Sequence, residues 1–135
     1  MITMPISLIT CDSSEGITDS ILYDSLDHAK NDMTVKIVNF IENNEDMPRF
    51  EIRMSDFFEI YPPTDTVKNY ITPAKILATN NRDNFLSWLV TRKNCIKTVV
   101  GQNTDVYRIS YEIGGEFRYI EFALVMPEIT TNLPF

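Results

Sequence analysis

The chain has 135 residues, 44% of them hydrophobic and 23% charged, which is enough apolar material for one packed core and too much for wholesale disorder. Its net charge of −7 is unevenly spread: residues 1–65 hold 13 Asp and Glu against 4 Lys and Arg, whereas residues 66–135 hold 6 against 8. Phosphate backbones are gripped by clustered Lys and Arg, so the acidic half speaks against nucleic acid as a direct partner and is compatible with a basic protein.

The longest apolar runs, such as Ala123-Leu124-Val125-Met126, fall far short of the roughly 20 residues a spanning helix needs, so no membrane partner is expected. The first ten residues lack a basic side chain ahead of their apolar stretch and break at Pro5, unlike a secretory leader. A cytoplasmic location is the expectation, the host cytoplasm if the chain is viral.

In chain order, residues 4–10 predict a short first strand, in which Ile6 and Leu8 flank Ser7. Cys11 to Gly16 is a polar turn. From Thr18 the apolar positions Leu22, Leu26, Ala29, Met33, Ile37, Phe40 and Ile41 recur at three- and four-residue steps, predicting helix over 18–42 with Thr18 or Asp19 as cap. Asn31-Asp32 weakens this element, and the β-branched stretch 33–41 admits a strand as the alternative. Asn43 to Asp46 and Pro48 end it. Phe50, Ile52 and Met54 alternate with polar residues and predict a strand over 50–60. The stretch 64–81 is irregular, although Thr72-Pro73 suits a helix start. Phe85, Trp88 and Leu89 share one face of a helix over 82–93, with Arg92 and Lys93 in its last turn.

The C-terminal third predicts strands at 96–100, 105–113 and 116–126, followed by an irregular tail after Pro127. Gly114-Gly115 is a two-residue hairpin loop of type I′ or II′, because glycine reaches positive φ without strain. Centring the register there sets Tyr111 opposite Arg118, Ile109 opposite Ile120 and Tyr107 opposite Phe122. Tyr107, Ile109, Ile120, Phe122 and Leu124 then share an apolar face, while Arg108 meets Glu121 on the other.

His28 is the single histidine, and it lies with Asp24, Ser25 and Asp27 on the polar side of the first helix, where such residues serve solubility. Cys11 and Cys95 are expected to be free and buried, with a bridge between them as the alternative; Cys95, near Arg92 and Lys93, has the better claim to reactivity. Two Cys and one His cannot supply a zinc site, and Asp12, Ser13, Glu15 and Asp19 lack calcium-loop spacing and are expected to cap the next helix. Four scattered glycines spell neither a P-loop nor a dinucleotide fingerprint. Catalytic residues, metal ligands and cofactors are therefore all expected to be absent. Trp88 is expected in the core.

The expected fold is one α+β domain over 1–135, an antiparallel sheet with a C-terminal hairpin packed against two or three helices. The expected function is a protein-binding module, such as an inhibitor, an immunity protein or an accessory protein of a virus or bacterium. Its candidate partner-binding residues are Arg108, Glu112, Phe117, Tyr119 and Glu121, on the second face of the hairpin, since aromatic residues and Arg are enriched at binding hot spots. A structural subunit of a larger assembly is the alternative, which leaves homo-oligomerisation open. A small carboxylate- or metal-dependent hydrolase or nuclease is the third reading.

Overall fold

The computed structural model describes residues 5–63 and 72–127. Five strands run β1 Ile6–Asp12, β2 Gly16–Tyr23, β3 Cys95–Val100, β4 Thr104–Ile113 and β5 Glu116–Val125. Among the described residues, four helices lie between β2 and β3: α1 Leu26–Asn44, α2 Met54–Ile60, α3 Ala74–Asn80 and α4 Arg82–Leu89. Every strand pair is antiparallel and the sheet order is β2-β1-β5-β4-β3. This is an α+β fold, with helices on one face of the sheet.

The hairpin of β4 and β5 has the register expected from its glycines: Tyr111 pairs with Arg118, Ile109 with Ile120, Arg108 with Glu121 and Tyr107 with Phe122. Gly114 at φ 58° and Gly115 at φ 82° are both left-handed, which makes the turn type I′. The alternation then sends Tyr107, Ile109, Tyr111, Phe122 and Leu124 into the core, where Leu8, Ile6 and Cys95 join them from the neighbouring strands.

Three elements differ from the sequence reading. Residues 18–23 are not the start of the helix; they belong to β2, which returns from β1 through a turn at Ser13–Glu15, and Asp24 and Ser25 lie between that strand and the helix. Leu22 fits the helical spacing by coincidence, and it sits on β2, 66% exposed. The helix begins at Leu26, capped by Ser25 rather than Thr18 or Asp19; the Ser25 hydroxyl accepts from the His28 backbone N–H at 3.1 Å. The Asp12–Asp19 segment correspondingly forms a hairpin and caps no helix. From Leu26 the helix runs unbroken through Asn31-Asp32 to Asn44, so 33–41 is helical despite its β-branched residues. Burial of Ala29, Met33, Ile37, Val38 and Ile41 on one face outweighs the weak propensity against it.

The expected strand at 50–60 is absent. Phe50 and Ile52 are buried from an extended segment that pairs with no other strand, and Met54–Ile60 is helix α2. Met54, Phe57, Phe58 and Tyr61 follow helical spacing, a second period hidden beneath the apparent alternation. The Glu45 carboxylate accepts from the Met54 backbone N–H at 3.1 Å, which anchors this helix start from the end of α1.

The helix expected over 82–93 ends at Leu89, leaving Arg92 and Lys93 beyond it. Arg92 instead lies over the Trp88 ring, 5.0 Å from its centroid. Thr72-Pro73 does precede a helix, although Pro73 occupies the cap position and Thr72 makes no capping bond. Met4 at the expected start of the first strand, residues 64–71, and the tail after Pro127 lie outside the described residues.

Phe57 ties the short helices together. Its ring centroid lies 5.3 Å from Phe85 and from Trp88, and 5.2 Å from Tyr61, all edge or tilted contacts. Trp88 is accordingly a core residue, 5% exposed.

The two sheet faces carry unequal energetic weight. Leu124→Ala, on the helix-covered side and fully buried, should cost about 2–5 kcal/mol in urea unfolding. Ile9→Ala, its counterpart on the other side, should cost under about 1.5 kcal/mol because Ile9 is only half-buried and leaves no enclosed cavity.

Candidate docking face of the sheet

Because side chains alternate, the pairing that fills the core also determines what the opposite face displays. Three rows cross all five strands there. The first is Leu22, Ser7, Val125, Thr104 and Val100; the second is Ser20, Ile9, Ala123, Val106 and Thr98; the third is Ile17, Cys11, Glu121, Arg108 and Ile96. None of the described helices packs on these rows.

Ala123, Cys11 and Val106 are short in the middle of the sheet, whereas Ile17 and Ile96 stand at its two edges. The result is an open groove of about 540 Å³, lined by Ile9, Cys11, Ile17, Ile96, Thr98, Val100, Val106, Arg108, Glu121 and Ala123. Large apolar side chains remain strongly exposed around it: Ile17 68%, Ile96 59% and Val100 54%. Exposed apolar residues scattered singly are ordinary; here they form a contiguous tract on one sheet face.

The groove contains one positive and one negative side chain, and they neutralise each other. Arg108 Nη2 lies 2.8 Å from Glu121 Oε2, and the Arg108 Nε–H donates to the same oxygen at 2.9 Å. The guanidinium also stacks on Tyr119, 3.9 Å from its ring centroid. These three expected residues thus form one unit. Phe117 stands apart near the hairpin tip, 80% exposed. Glu112, opposite Phe117 in the register, is engaged by Arg49, which at φ 68° brings its guanidinium to 3.2 Å from the Glu112 carboxylate.

Ile9, Ile17, Ile96, Val100, Val106 and Ala123 were missed as candidates from sequence. Residues 96–100 do alternate, but which side is covered depends on partners distant in the chain.

Cys11 and Cys95 are free thiols on opposite sides of the sheet, which rules out a bridge between them. Burial pushes the Cys95 thiol up to about 12, so nearby Arg92 and Lys93 do not activate it; Cys11, half-buried beside the groove, is the more accessible of the two. His28 is exposed, with its ring against Tyr23 and its Nε2 3.9 Å from Asp32 Oδ2. Ser25 beside it is occupied as the helix cap. Among the described residues no group of three or more His, Cys, Asp or Glu side chains converges as metal ligands would, and no helix is long and apolar enough to cross a membrane.

The groove's far end is tied down by Asp12. Its carboxylate accepts from the Tyr111 hydroxyl at 2.6 Å, from the Ser14 hydroxyl at 2.6 Å and from the Ser14 backbone N–H at 2.8 Å. Partial burial raises its pKa, but these hydrogen bonds outweigh that and hold it at about 2. Ser13 adds a bond at each end of Tyr119, with its N–H donating to the Tyr119 carbonyl and its Oγ accepting from the Tyr119 N–H. The β1–β2 turn is thereby clamped to the C-terminal hairpin.

Comparison with known proteins returned no matching family model, no matching curated protein and no matching solved structure.

Two outcomes follow from this geometry. Asp12 ionises more easily folded than unfolded, so its stabilisation is present above its ordinary value of 3.8 and is lost as pH falls toward about 2. Asp12→Asn should therefore flatten the stability–pH curve between about pH 5 and 2, read by urea midpoints; an unchanged slope would contradict the clamp. A thiol reagent should label Cys11 in the native protein and Cys95 only after unfolding.

Proposed function

We propose that this chain is a protein-binding module that docks through the face of its sheet on which none of the described helices packs. The observation that supports this most directly is the apolar groove crossing all five strands, flanked by the exposed Ile17, Ile96 and Val100. Keeping such a surface in water is unfavourable by roughly 25 cal/mol per Å² of apolar area, and association relieves that cost. The Arg108–Glu121–Tyr119 unit then supplies orientation near the groove, as a stacked Arg and an aromatic commonly do at interface centres.

The acidic first half adds a steering role. Asp24, Glu42, Asp46 and Glu59 are exposed, and they disfavour contact by another acidic surface anywhere but at the neutral groove. Inhibition or accessory assembly fits this combination of a contact face and a charged remainder.

The test is photo-cross-linking in the source cells with p-benzoylphenylalanine at position 98 in the groove and, as control, at position 59 on α2. Thr98 and Glu59 are both exposed, so either replacement is tolerated by the fold. Position 98 should yield a discrete protein adduct, and Val106→Glu should weaken it by at least about tenfold, since an unpaired charge placed in a dry contact costs more than ~1.4 kcal/mol. Absence of an adduct from position 98, or the same adducts from both positions, would overturn the reading.

A further inference from the structure

We infer that the partner seated on this face is a second copy of the chain, packed sheet to sheet. The inference rests on the reading of the open face as a docking surface, and it names the occupant.

Charge selects among the occupants. The chain carries −7 overall, yet the groove holds one Arg and one Glu and is neutral. Two copies approaching by most other surfaces bring like charges together, whereas this face meets its own image with no net repulsion. The face is also self-complementary in sign. In a two-fold arrangement the same patch serves both subunits, so Arg108 of each copy can turn toward Glu121 of the other without leaving any charge unpaired. A strongly basic or acidic partner would find no unpaired opposite charge in this groove, because Arg108 and Glu121 already satisfy one another at 2.8 Å.

Size is consistent with a weak dimer. Five strands at ~4.8 Å spacing and about seven residues at ~3.3 Å give a face of roughly 550 Å², or about 1,100 Å² over two copies, just above the ~1,000 Å² that separates specific from incidental contacts. The apolar rows bring residues that β-sandwiches bury between sheets: Ile9, Val106, Ala123, Ile17 and Ile96. Dimerisation would cover the exposed Ile17 and Ile96 and complete a four-layer helix–sheet–sheet–helix arrangement.

The experiment is sedimentation equilibrium of the full chain from about 5 to about 500 µM, a span suited to a micromolar-to-weaker dissociation constant. Mass should rise from 15.6 kDa toward twice that value. Arg108→Glu makes the groove doubly negative and Glu121→Arg makes it doubly positive, so each variant alone should dimerise at least about tenfold more weakly. An equimolar mixture of the two should recover dimer, a result that simple unfolding of either variant cannot produce. Ile96→Lys, on an edge strand, offers a second disruption at a site where the fold tolerates charge.

A wild-type chain that stays monomeric throughout overturns the inference. So does a dimer indifferent to Arg108→Glu, Glu121→Arg and Ile96→Lys, or a mixture that recovers nothing. The two proposals fail differently: adducts from position 98 to a different protein, with a monomeric chain, leave the docking face standing and remove the second copy. No adduct from position 98 removes both.

Discussion

The pairing of β5 with both β1 and β4 is the constraint on which the rest of the structure depends. β5 lies at the centre of the sheet and joins the N-terminal hairpin to the C-terminal one, bridging elements more than a hundred residues apart. Because side chains alternate along it, one register decides two surfaces at once. Phe122 and Leu124 go to the helices, and Glu121 and Ala123 go to the open side. A slip of one residue would bury the glutamate and expose the core, so the core's packing energy enforces the composition of the groove. The open face is in this sense a by-product of the core.

The helices explain why only one face is open. α1 is long and buries Ala29, Met33, Ile37, Val38 and Ile41 in the core against the sheet and the short helices, while Phe57 links α2 to α4 through Phe85 and Trp88. The four described helices are inserted between β2 and β3, the two edge strands, and none of them packs on the open rows. The clamp of Asp12 with Tyr111, and of Ser13 with Tyr119, ties the two hairpins together at one end of the sheet. Such ties favour the proposed docking, since preorganised contacts lose less entropy on binding.

Charge is segregated in the same pattern. Around the helices, acidic side chains find local partners, as in Lys36 with Asp19 and Arg82 with Asp27, or stay in water. Such exposed pairs contribute only about 0–1 kcal/mol each to stability, so their effect lies in solubility and encounter. The groove, by contrast, retains a single balanced pair.

Sequence alone determined the hairpin and the identity of its two faces. Gly114-Gly115 is a local signal, and once the turn is known every cross-strand pair from Tyr107–Phe122 to Tyr111–Arg118 follows by counting. The apolar faces of α1 after Leu26 and of α4 around Phe85 and Trp88 were equally legible, because helix periodicity is also local. Other features needed the tertiary structure. Leu22 and Leu26 satisfy one helical spacing, yet they belong to a strand and a helix, and only the pairing of β2 with β1 separates them. Phe50 and Ile52 alternate as a strand would but find no partner strand, so the segment stays unpaired and Met54 starts a helix instead. Arg108, Tyr119 and Glu121 were identifiable as a face of the hairpin, whereas the groove around them draws Ile9, Cys11, Ile17, Ile96 and Thr98 from three other strands. Strand order and the side that the helices choose are non-local quantities, set by which faces can be buried together, and no window of sequence contains them.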